Sequence, residues 1–70
     1  MWVKNCYHSL VNLNNVTEIY IESDDSVVKV MADDIKLVAF YGEHDECFKR
    51  AITYIEDLEK LLIENGHTII

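Results

Sequence analysis

Between Val27 and Tyr41 the chain carries two apolar-rich runs, Val27 to Ala32 and Ile35 to Tyr41, separated only by Asp33-Asp34. A two-residue acidic connection between β-prone runs leaves one simple option, an antiparallel hairpin with a tight turn. A third run, Val16 to Glu22, alternates β-branched and polar residues and reads as a strand. Ser23-Asp24-Asp25-Ser26 joins it to the hairpin as a polar turn. Residues 9–13, Ser-Leu-Val-Asn-Leu, form a short strand candidate, with Asn14-Asn15 as the kink after it.

From about His44 to Asn65 the period changes. Phe48, Ala51, Ile52, Ile55, Leu58 and Leu62 recur at helical spacing, and Glu43, Asp45 and Glu46 sit where the helix dipole favours negative charge. Asn65-Gly66 fits a left-handed helix stop, and the apolar tail ending in Ile69-Ile70 is expected to dock on the domain or on a neighbour. The expectation is an α+β fold: one domain over residues 1–70, with a three- or four-stranded antiparallel sheet and one C-terminal helix across one face. At 70 residues there is no room for a doubly wound sheet or a barrel.

Regular pairing about Asp33-Asp34 sets Ala32 opposite Ile35, Val30 opposite Leu37 and Val28 opposite Ala39, on a helix-facing side that also takes Tyr41, Ile19 and Ile21. The other side then pairs Val27 with Phe40, Lys29 with Val38 and Met31 with Lys36, beside Glu18, Tyr20 and Glu22. A solvated face should be mostly polar. One helix cannot cover both sides, so the second is expected to meet the N-terminal segment with Trp2, Tyr7 and Leu10, a second copy, or another protein. Homodimerisation is the favoured expectation, because small chains often complete their core that way.

Thirteen acids against six bases give a net charge of −7. That argues against a phosphate-backbone binder, which needs a basic footprint, and no apolar run reaches membrane-spanning length. The start of the chain lacks a signal-peptide layout, so a cytoplasmic protein is expected. Two cysteines, Cys6 and Cys47, read as reduced thiols, with a Cys6–Cys47 bridge as the alternative. The acids Glu18, Glu22, Asp24, Asp25, Asp33, Asp34, Glu43, Asp45 and Glu46 come from turns, one strand and the helix start. Gathered on one side they would imitate a phosphate track and fit a basic groove on a partner.

Cys6, His8, His44 and Cys47 have the donor types of a tetrahedral zinc site, but the one-residue spacing of the first pair is unusual. The competing reading makes Cys47 a small core residue and His44 a helix-cap neighbour. Cys47 near a helix start with His44 beside it also has the outline of a nucleophile. The surrounding carboxylates oppose a thiolate, and no glycine-built oxyanion site is evident, so no catalytic residue and no cofactor is assigned. Acidic turns without a turn glycine do not make a calcium loop. The candidate interface residues are therefore Tyr20, Met31, Val38 and Phe40 with Glu22, Asp24, Asp25, Asp33 and Asp34.

Residues 8–16, His-Ser-Leu-Val-Asn-Leu-Asn-Asn-Val, resemble the strand-entry segment of LytTR-type DNA-binding domains, about an eighth of the chain. The chain lacks the basic residues that reach DNA in that family, and no DNA-contacting role is carried over. The wider pattern from Val11 to Leu62 resembles small acidic β-β-β-α proteins of Gram-positive bacteria and their phages, a size class that includes anti-CRISPR inhibitors of host defence. That resemblance implies a non-enzymatic inhibitor of a host protein complex, acting in the host cytoplasm, and the chain's acidity makes a basic surface on that complex the expectation. Two alternatives stand beside it. One is a homodimeric module that sequesters a nucleotide stacked on Tyr7, Tyr20, Phe40 and Tyr41; the other is a LytTR-like regulator.

Overall fold

The structure is a computed structural model and describes residues 1–64 and Gly66. The expected Asn65 cap and the apolar tail lie outside the described residues. The fold is α+β, with an antiparallel three-stranded sheet of order β3-β4-β5, a separate two-stranded hairpin β1-β2, and a C-terminal helix packed on the sheet. The elements are β1 (Trp2–Lys4), β2 (Leu10–Asn12), a 3-10 turn (Leu13–Asn15), β3 (Ile19–Ser23), β4 (Val27–Ala32), β5 (Ile35–Tyr41) and α1 (His44–Glu64).

The hairpin turn falls at Asp33-Asp34, with Ala32 opposite Ile35. Asp33 takes positive φ (53°), which a two-residue hairpin turn of primed type needs at its first central position. Asn5 organises the β1-β2 loop in the manner of an Asx turn. Its Oδ1 accepts the backbone N–H of Tyr7 (3.0 Å) and Ser9 (2.9 Å). Glu43 caps α1 by accepting the N–H of Asp45 and Glu46 on its two carboxylate oxygens, at 3.2 and 3.0 Å.

One buried cluster joins Val11 and Leu13, Val28, Val30 and Ala32 of β4, Leu37 of β5, and Cys47, Ala51 and Leu58 of α1. Because Val11 and Leu13 share it, the N-terminal hairpin packs on the same side of the sheet as α1. Val3 lies opposite Val11 and also packs inward, whereas Trp2 (62% exposed) and Leu10 (67% exposed) alternate outward.

The regular pairing expected beyond the turn does not persist. A β-bulge interrupts the ladder after Val30, and Leu37 is the extra residue on β5. Past it the register moves by one: Val30 faces Val38, Val28 faces Phe40, Lys29 faces Ala39 and Val27 faces Tyr41. Side chains directly opposite share a face, so Val38 and Phe40 move to the helix side, where both pack against the core. Tyr41, expected under the helix, is instead 72% exposed. The bulge raises the apolar content of the core side, since Leu37, Val38 and Phe40 all serve it.

Candidate functional site

The side of the sheet away from α1 is the candidate interface. β3 contributes Tyr20 and Glu22, β4 contributes Val27, Lys29 and Met31, and β5 contributes Lys36, Ala39 and Tyr41, as the pairings Tyr20–Met31, Glu22–Lys29, Lys29–Ala39 and Met31–Lys36 require. Of the apolar candidates for this face, Tyr20 and Met31 lie on it, while Val38 and Phe40 are corrected to the core side. Tyr20, Val27, Met31 and Ala39 are half-buried by their neighbours within the sheet. The face is mixed rather than continuously apolar: Lys29 pairs with Asp24 at 3.1 Å, and the Lys36 amine lies 5.1 Å from the centre of the Tyr7 ring.

Two flanking elements fix this face. The Tyr20 hydroxyl donates to the Asp33 carbonyl at 3.0 Å, holding the ring toward the β4-β5 turn. Burial, and then the negative charges of Glu22, Asp34, Glu18 and Asp33, push the Tyr20 phenol above its ordinary pKa. Along the β5 border, the Cys6 thiol approaches the Lys36 carbonyl (3.8 Å), so the β1-β2 loop wraps this edge. Cys6 also lies within electrostatic reach of Tyr54 of α1, whose phenol is pushed up first by burial and then by Cys6.

The acids are not gathered in one patch. Asp24 and Asp25 lie at the end of the sheet where β5 runs into Glu43, Asp45 and Glu46; Asp33 and Asp34 lie at the other end. Glu22 falls within β3, and Glu18 immediately precedes the strand at the Asp33 end. The Asp33 carboxylate, like that of Glu43, is used internally on the main chain. Its two oxygens accept the backbone N–H of Thr17 and Glu18, each at 3.1 Å, and the Asp33 N–H donates to the Glu18 carbonyl at 2.9 Å. This clamp explains why residues 16–18, expected in the strand, precede it: the β3 ladder begins only at Ile19.

The structure does not assemble the other constellations. Cys6 and Cys47 are free thiols, one exposed on the loop and the other buried in the core. His44 stacks on Phe48 with ring centres 6.0 Å apart, in a shallow recess with Asp45 and Lys49. Among the described residues no three His, Cys, Asp or Glu side chains are grouped to hold a metal ion, and Cys6, His8, His44 and Cys47 are not brought together. Tyr7, Tyr20, Phe40 and Tyr41 do not make one stacking platform, since Phe40 faces the core. Among the described residues no helix is long and apolar enough to cross a membrane.

Residue-level reasoning missed Asp33 as a clamp. The signal was an acid at a position needing positive φ, where Asp is tolerated and can also bond to nearby main chain. No protein-family model, no curated protein and no solved structure matches the chain.

Proposed function

We propose that the chain is a non-enzymatic binding protein that docks a basic partner protein on the open side of its three-stranded sheet. The observation that carries this reading is the face of Tyr20, Val27, Met31 and Tyr41, left outside the α1 side and bordered by Glu18, Glu22, Asp24, Asp25 and Asp34. A half-apolar centre with a charged rim has the layout of a protein interface, and acidic borders favour encounter with a basic surface. Following the resemblance to phage proteins, the partner is a component of a host defence complex in the host cytoplasm, and binding inhibits it by occupying a basic groove.

The test is affinity capture with immobilised wild-type protein beside Met31→Asp and Glu22→Lys variants. The reading expects a specific protein with a basic surface, retained by wild type and lost by both variants. Equal retention by all three baits contradicts it. Molar masses of the purified wild type and of Met31→Asp show whether a second copy occupies the same face: a dimer that the substitution turns into a monomer places it there.

A further inference from the structure

The three-stranded sheet has two outer edges, and they differ. β5 carries the Leu37 bulge, and the Cys6 thiol sits against its Lys36 carbonyl, two features that blunt a sheet edge. β3 has a regular register over all five residues, without bulge or proline. The phase of its ladder follows from its two ends. The Asp33 N–H donates to the Glu18 carbonyl and the Asp24 N–H donates to the Val27 carbonyl, each at 2.9 Å. Bonded and non-bonded pairs alternate in an antiparallel ladder. Tyr20 and Glu22 therefore bond inward to β4, while Ile19, Ile21 and Ser23 turn their N–H and C=O groups outward. No partner meets those outward groups among the described residues.

Resting on the proposed basic partner, we infer that β3 is a docking rail on which an extended basic segment of that partner adds as a further antiparallel strand. Glu18, Tyr20 and Glu22 follow one another at the two-residue period of a strand, with Asp24 and Asp34 beyond the two ends. From residue 18 to residue 24 the rail runs roughly 20 Å. An added strand places every second side chain beside Glu18, Tyr20 and Glu22 on the open face, in close non-bonded pairs. The intervening residues exchange main-chain bonds with Ile19, Ile21 and Ser23. Lysine or arginine at alternate positions is the complementary sequence. A second copy of β3 is not, because registers centred on Tyr20 or Ile21 set Glu18 against Glu22 or Asp24 of that copy, and like charges directly opposite destabilise a strand pair.

The experiment uses two isomeric, N-acetylated eight-residue peptides alternating lysine and valine, one N-methylated on its valines and the other on its lysines. Net charge and composition are identical. With lysines on the open face, only the valine N–H groups point at β3. The valine-methylated isomer should bind at least tenfold more weakly, and the lysine-methylated isomer should slow hydrogen exchange at the amides of Ile19, Ile21 and Ser23. The Ser23→Pro variant removes one outward donor at an exposed position and should lose affinity severalfold with its circular dichroism unchanged; should it fail to fold, the isomer pair still decides. Equal affinity of the two isomers overturns strand addition and leaves the basic-partner reading standing. Absence of binding by either isomer at low ionic strength overturns both. Protection of the three amides that grows with protein concentration, without peptide, overturns the inference in favour of a second copy.

Discussion

The Tyr20 hydroxyl donates to the Asp33 carbonyl at 3.0 Å, tying the middle of β3 to the turn between β4 and β5. Asp33 returns the connection through its carboxylate, which accepts the N–H groups of Thr17 and Glu18. One turn residue thus fixes where β3 starts and where the Tyr20 ring lies on the open face.

Asp33→Ala should destabilise the fold by about 1–3 kcal/mol, since two main-chain donors lose a charged acceptor and alanine must also hold positive φ. Asp33→Asn keeps one carbonyl oxygen and tolerates that backbone, so it should cost less. Urea unfolding of the three proteins checks the order; equal stability of all three contradicts the clamp.

Tyr20 also gives a pH signature. Its phenol is raised in the folded state, chiefly by burial and then by the acids around it. The folded protein therefore binds the phenolic proton more tightly than the unfolded chain does. The associated stability is complete below the unfolded tyrosine value of about 10 and is lost as pH rises through the folded value. Tyr20→Phe should flatten the fall in stability above about pH 10, leaving the shares that come from Tyr54 and Lys36, which are also raised in the folded state. Unfolding curves between pH 8 and pH 11, in steps on the order of half a unit, make the comparison; an unchanged slope in the variant contradicts the assignment.

The bulge predicts opposite responses on neighbouring strands. Leu37→Ala removes a fully buried side chain and should cost about 2–5 kcal/mol, enough to unfold so small a domain. Phe40→Asp, which regular pairing would place on the open face, should likewise unfold the protein, because Phe40 packs against the core. Met31→Asp, on the other side of the same sheet, should leave a folded protein. In thermal melts the Phe40→Asp variant separates the two registers, since both set Met31 on the open face and Leu37 on the helix side. A stable Phe40→Asp would restore the regular one.

These results mark what the residues alone disclose. β4, β5 and the start of α1 lie where the periodicities put them, because period-2 and period-3.6 patterns report burial directly. The faces of β5 beyond the turn were not legible. The Leu37 bulge leaves no glycine or proline to announce it, and a one-residue slip exchanges Val38 and Phe40 with Ala39 and Tyr41. Trp2–Lys4 is too short a run for its alternation to register, so β1 was not expected. The acidic border was legible in composition. Its division between the two ends of the sheet, and the withdrawal of Asp33 into an internal role, depend on turn geometry that no spacing encodes.

The chain has two methionines, one on each side of the sheet: Met1 packs against the core on the helix side and Met31 lies on the open face. Carbon-13 labelling of their methyl groups gives two reporters in one spectrum. On titration with the captured basic partner, or with the lysine-methylated peptide, the Met31 methyl signal should shift and saturate while that of Met1 stays in place. Movement of Met1 alone, or of neither signal as the complex forms, would contradict docking on the open sheet face.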